Sequence, residues 1–132
     1  MHQIVFQDFN KISSNEILKG LRKKYNVIYY KKFKHLYDNR YNHLDTDLFI
    51  FDVYVDCFKN SNKIKMFIEE ITYYNIPILL LTDPLFQCNY IKRYVWFIDL
   101  CFSIFKPLFY TKDFDMDVER AINSKRIKFN VT

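Results

Sequence analysis

Glycine is almost missing from this chain. One Gly and three Pro in 132 residues exclude collagen-like repeats and Gly- or Pro-rich disorder. Cysteine is sparse as well. Cys57, Cys88 and Cys101 are odd in number and share no metal-like spacing, so neither a disulfide framework nor a zinc site is expected. A reducing cytoplasm suits that usage, with each thiol acting as a small buried hydrophobe. His2, His35 and His43 make no ligand pattern with the cysteines and read as surface residues. Long apolar runs are also lacking. Ile4 to Phe6 is too short for a signal peptide and meets Asp8. The most apolar region, Val95 to Tyr110, is broken by Asp99, Ser103, Lys106 and Pro107. A membrane-spanning helix needs about 20 apolar residues, so no membrane segment is expected.

Aromatic residues are abundant, with 14 Phe and 11 Tyr, and half the chain is hydrophobic. That is enough for a core in one compact domain. The Asn, Lys, Ile, Tyr and Phe content is also what an AT-rich genome would produce. The net charge of +5 raises the question of nucleic acid. The densest basic group is Arg22, Lys23, Lys24, Lys31, Lys32 and Lys34, interleaved with Tyr25, Tyr29, Tyr30 and Phe33. It flanks an expected strand and reads first as solvated element ends. No RNA-binding motif accompanies it, so direct nucleic-acid binding is not expected.

Short apolar runs alternate with amphipathic ones. Strands are expected at Gln3–Phe6, Val27–Tyr30, Leu48–Phe51, Pro77–Leu81 and Phe102–Phe105. Helices are expected from Ser13 or Ser14 to about Lys24, weakly over Phe33–Tyr41, then over Ser61–Tyr74, Phe86–Phe97 and Asp113–Ser124. Five β-α units specify a doubly wound parallel sheet with helices on both faces. Wholly apolar strands such as Leu48–Phe51 fit a sheet covered on both sides. Ligand sites in such folds lie beyond the carboxyl ends of the strands.

The residues that follow the strands are Gln7 and Asp8, then Asp52, then Thr82 and Asp83, then Lys106 and Pro107. Each alone reads as a turn, cap or surface residue. Together they form a set with one purpose. Two close carboxylates repel unless a cation joins them. Mg2+ accepts one or two carboxylates and leaves room for phosphate oxygens. An aspartate can accept a phosphoryl group, and a hydroxyl and a lysine can hold the transferred oxygens.

The segments Gln3-Ile-Val-Phe-Gln-Asp8, Asp47-Leu-Phe-Ile-Phe-Asp52-Val, Ile76-Pro-Ile-Leu-Leu-Leu-Thr82 and Ser103-Ile-Phe-Lys106-Pro107-Leu carry a resemblance. They resemble the four blocks of response-regulator receiver domains, the CheY-like superfamily of two-component signalling. The resemblance covers essentially all of residues 1–132 as a single domain and implies a flavodoxin-like sheet of order 2-1-3-4-5. It implies Asp52 as the phosphorylated residue. It implies Mg2+ on Asp8, Asp52 and the backbone carbonyl of Tyr54, with Gln7 a weak contributor. Thr82 would bond a phosphoryl oxygen, and Lys106 would pair with the phosphoryl group across a cis bond to Pro107. A histidine kinase or phosphotransfer protein would be the donor. A downstream protein, or an output domain outside this chain, would read the signal. A homodimer through the fourth helix, fifth strand and fifth helix is a further possibility that the family brings. The domain would signal rather than act as an enzyme.

Some positions depart from that family. Gln7 replaces a common second acid and removes one negative charge from the metal site. Asp83 stands where a small residue usually follows the threonine. Ser103 replaces the usual switch aromatic, and Phe102 beside it points to the other face. Asp56 and Asn60 replace a proline and a glycine. The pattern is that of an atypical receiver, and the alternative it leaves open is a pseudo-receiver that binds proteins without a phosphate cycle. That version would use aromatics such as Tyr90, Tyr94, Trp96 and Tyr110. A flavodoxin-like flavin site would need glycine and hydroxyls just after strand one. Asp8–Ser14 has only two late serines, so no such cofactor is expected.

Overall fold

The computed structural model describes residues 1–10, 14–54, 62–83 and 100–131, and side chains as far as residue 124. The strands are β1 (Gln3–Asp8), β2 (Asn26–Tyr30), β3 (Leu48–Asp52), β4 (Ile78–Thr82) and β5 (Cys101–Phe105). All adjacent pairs run parallel, in the order β2-β1-β3-β4-β5. The helices are α1 (Asn15–Arg22), α2 (Phe33–Asp38), α3 (Asn62–Tyr73) and a long helix over Lys112–Val131. The doubly wound five-stranded sheet is the one the sequence pattern specifies. The expected Phe86–Phe97 helix, with Tyr90, Tyr94 and Trp96, lies outside the described residues, as do Cys57, Cys88, Asp56 and Asn60.

Strand alternation sorts the apolar runs onto two faces. Val5, Phe49, Phe51, Ile78 and Leu80 point to one side, under α2 and α3. Ile4, Phe6, Leu48, Ile50, Leu79 and Leu81 point to the other, under α1 and the Lys112–Val131 helix. Each helix presents a stripe at helical spacing: Ile64, Phe67, Ile68 and Ile71 on α3, and Phe114, Val118, Ala121 and Ile122 on the last helix. The first face is aromatic. Phe51 stacks on Phe67 with centroids 6.2 Å apart, and Phe9 meets Phe51 edge-on at 5.7 Å. Every residue of β3 and β4 is buried, whereas β2 and β5, at the sheet edges, are mostly half-buried.

Two local findings position the site. The only glycine, Gly20, lies on α1 where a Cβ would overlap the Tyr110 side chain. That close approach explains a glycine inside a helix, where it costs about 0.5–1 kcal/mol relative to alanine. It holds the segment after Lys106–Pro107 against α1. Lys24 adds a second tie, pairing with Asp115 and Glu119 across the same seam.

Several expectations need correction. The weak helix at Phe33–Tyr41 ends at Asp38 and gives way to a 3-10 turn over Arg40–His43. The last helix runs to Val131 rather than Ser124. His43 is buried rather than superficial. It packs edge-on against Tyr30, with its Nε2 2.7 Å from the Tyr30 hydroxyl, and burial lowers its pKa.

Candidate functional site

The strands end level with one another, which is what gathers the polar residues. Asp8 and Asp52 are directly paired across β1 and β3. The ladder continues past the strands, with Phe9 N donating to Asp52 O at 2.9 Å and Lys106 N donating to Thr82 O at 2.9 Å. Asp8, Asp52, Thr82 and Lys106 therefore share one edge, as their positions after the strands predict.

Asp52 sits at the centre and is 0% exposed. The Lys106 ammonium lies 2.6 Å from Asp52 Oδ2. The Ser14 hydroxyl donates to the same oxygen at 2.5 Å, and Lys106 Nζ donates to Ser14 Oγ at 3.3 Å. Asp52 Oδ1 accepts a long bond of 3.4 Å from Asn10 Nδ2. A buried carboxylate requires such company, because an unpaired charge in the interior costs several kcal/mol.

Asp8 is held differently. Its Oδ1 accepts from the Asn10 backbone N–H at 2.9 Å. Its Oδ2 accepts from the Tyr29 hydroxyl at 2.8 Å and lies 3.5 Å from the Lys31 ammonium. Lys31 also donates to the Asn10 carbonyl at 2.8 Å. Burial, and then the bond to Asp8, pushes the Tyr29 hydroxyl up to about 12.

The other expected residues fall as follows. Thr82 is buried, and its hydroxyl donates to the Ile104 carbonyl at 3.0 Å, toward β5 rather than toward Asp52. Tyr54 lies two residues beyond β3 with its side chain exposed. Gln7 is buried, and its Nε2 makes only long bonds, 3.4 Å each, to the carbonyls of Asp8 and Lys31. Among the described residues its Oε1 has no hydrogen-bond partner. The Ser103 hydroxyl is likewise buried without one. The Lys106–Pro107 bond is trans, since the described residues contain no cis peptide; proline permits a cis bond but does not impose it.

Four site residues escaped the sequence reading, among them Asn10, which bonds both carboxylates. Ser14 reads as a helix cap, and it does occupy the N-cap of α1, yet it makes no side-chain cap bond; its hydroxyl goes to Asp52 instead. Tyr29 and Lys31 read as aromatic and solvated strand-end residues. Because β2 pairs with β1, its carboxyl end delivers both to Asp8. The available signal was their i, i+2 spacing, which places them on one side of a strand.

Mg2+ prefers a near-octahedral set of oxygens and keeps several waters. Asp8, Asp52 and the orphaned Gln7 Oε1 are oxygen donors of suitable chemistry. As arranged, they do not fit the ion. All four carboxylate oxygens already accept a hydrogen bond, and an ammonium stands at each carboxylate. Among the described residues, no three His, Cys, Asp or Glu side chains converge as a metal site.

No protein-family model and no curated protein matches the chain. Solved structures do. A response regulator receiver domain from Clostridium thermocellum matches with TM-score 0.65 and 18% identity, over 96% of this chain and 98% of that one. A response regulator receiver modulated diguanylate cyclase from Pelobacter carbinolicus matches with TM-score 0.55 and 19% identity, over 95% and 99%. The parallel sheet with acids and a lysine at its carboxyl edge is thus an open, doubly wound α/β fold. In particular, it is the fold of response-regulator receiver domains. The constitutive lysine decarboxylase of E. coli also matches, with TM-score 0.63 and 13% identity, over 100% of this chain and 18% of that one. The fold alone therefore does not assign phosphoryl chemistry. Among the described residues, no helix is long and apolar enough to cross a membrane.

Proposed function

We propose that this chain is a receiver-type signalling domain that accepts a phosphoryl group on Asp52 from a histidine kinase or phosphotransfer protein. The carrying observation is the Asp52–Lys106 pair at 2.6 Å, formed between the ends of two strands that are not neighbours. Asp52 Oδ1, which accepts a long bond from Asn10 while Oδ2 meets Lys106 and Ser14, is the oxygen suited to attack. Its bond to phosphorus forms as the bond from phosphorus to the donor imidazole nitrogen breaks, and the imidazole leaves with that electron pair. Lys106 and Ser14 stand beside the carboxylate and can transfer their donors to the new phosphoryl oxygens. Thr82 would join them by giving up its bond to Ile104. That exchange would carry the change to β5, where Phe105, Leu108 and Phe109 are exposed. A downstream protein or a second copy of the chain would read this face. The role is signalling rather than turnover, in the cytoplasm where such donors act.

The test is incubation with acetyl phosphate, with and without Mg2+, read by intact mass. One added phosphoryl group is expected, and none in Asp52→Ala. No adduct under either condition, or an adduct that survives Asp52→Ala, would overturn the reading.

A second reading has its own support. Asp52 is wholly buried, and every oxygen of both carboxylates is engaged. Those features suit a pseudo-receiver that binds its partner in one fixed state. That version expects no adduct, with partner binding unchanged by phosphodonors.

A further inference from the structure

Among the described residues, each of the two paired carboxylates of this edge is met by an ammonium from the chain itself. Asp8 and Asp52 contribute two negative charges on directly paired residues. Lys106 and Lys31 contribute two positive ones. Carboxylates on directly paired residues repel each other unless a cation joins them, and a hard divalent ion is one cation that could do so. Here Lys31 reaches from the end of β2, and its ammonium lies between Asp8 Oδ2 at 3.5 Å and the Asn10 carbonyl at 2.8 Å. A carboxylate oxygen and a backbone carbonyl are the kinds of donor that a hard cation takes. Tyr29 fills the remaining side of the same carboxylate oxygen. Gln7, neutral, supplies no further negative charge to recruit a second cation.

We infer that Lys31 is the resident cation of this edge. Its ammonium takes the divalent ion's place on Asp8, so the domain keeps its two carboxylates together without Mg2+. Mg2+ binds well only when the lysine is removed. The inference rests on the reading of Asp8 and Asp52 as one receiver-type edge, and it concerns the metal rather than the phosphoryl group.

The experiment is a Mg2+ titration followed by calorimetry and by thermal unfolding at matched ionic strength. It uses the full chain, Lys31→Met, and Lys34→Met as a control lysine, paired with Asp38 on the same helix. A ligand that binds the folded state raises the unfolding temperature. The full chain and Lys34→Met should unfold at the same temperature in chelator and in millimolar Mg2+. Lys31→Met should unfold lower in chelator, recover with Mg2+, and bind the ion at least about tenfold more tightly than the parent. Saturable Mg2+ binding by the parent in the ordinary receiver range overturns the inference, and it does so even if Lys31→Met fails to fold. So does a Lys31→Met variant that gains no Mg2+ response. Neither result depends on whether Asp52 accepts phosphate, so failure here and failure of the acetyl phosphate test are separate outcomes.

Discussion

Asp52 and Asp8 face each other across one rung of the sheet, yet they are secured in different ways. Asp52 is fastened from far along the chain. Its partners are Ser14, at the start of α1, and Lys106, beyond β5, both themselves largely covered. Asp8 is fastened from next door. Its partners are Tyr29 and Lys31 at the end of the neighbouring strand, and Lys31 is 58% exposed. A cation with little access to water is bound to its carboxylate far more firmly than one that water can replace. Both carboxylates thus lie in the fold's interior, and what differs is the cation: Lys106 is largely covered, whereas the Lys31 ammonium reaches water.

Substitution should break the two ends unequally. The largest effect is expected at Lys106→Met, which leaves Asp52 buried without its cation. Removing one partner of a buried pair costs roughly 3–5 kcal/mol, and the 18% exposure of Lys106 favours the lower end. Urea denaturation would measure it, and a loss below about 1 kcal/mol would mean that water already serves Asp52.

Tyr29→Phe comes next. It deletes one hydrogen bond to a carboxylate, worth about 1.5–3 kcal/mol, while keeping the ring against Phe6. The same residue supplies a pH signature. Folding raises the Tyr29 hydroxyl from 10.0 to about 12, through burial first and then its bond to Asp8. A raised acid favours the protonated form in the folded state. Its contribution is therefore complete below pH 10 and is lost as pH climbs toward 12. Alkaline unfolding of the parent should be steeper over that window than that of Tyr29→Phe; equal slopes would separate the Tyr29 hydroxyl from Asp8.

The smallest effect is expected at Lys31→Met in the absence of Mg2+. The ammonium of this pair is exposed while Asp8 is buried, so the loss should exceed the less than about 1 kcal/mol of a fully exposed pair and stay below that of Tyr29→Phe. If Lys31→Met cost as much as Lys106→Met, the contrast between the ends would disappear.

Much of this was legible before any coordinates. The apolar runs at Gln3–Phe6, Leu48–Phe51, Pro77–Leu81 and Phe102–Phe105, and the polar residues that follow them, were enough to place Asp8, Asp52, Thr82 and Lys106 at one edge. Ser14 was legible only as a cap, since a serine ahead of an amphipathic helix ordinarily bonds its own backbone. Tyr29 and Lys31 were hidden for another reason. In one dimension they are a strand residue and its basic flank, and the acid they serve is more than 20 positions away. His43 was misread because a polar residue in a short turn gives no sign of being covered.

Period and composition by themselves determined the alternation of elements, the two faces of the sheet and the edge where its polar residues collect. These follow from the two-residue repeat of a strand and the 3.6-residue repeat of a helix, both local properties of the chain. Only the tertiary structure decided which donor each carboxylate oxygen received. It set Ser14 and Lys106 on Asp52, and Tyr29 and Lys31 on Asp8. Those choices depend on strand order, register and the reach of single side chains, which no short stretch of sequence encodes.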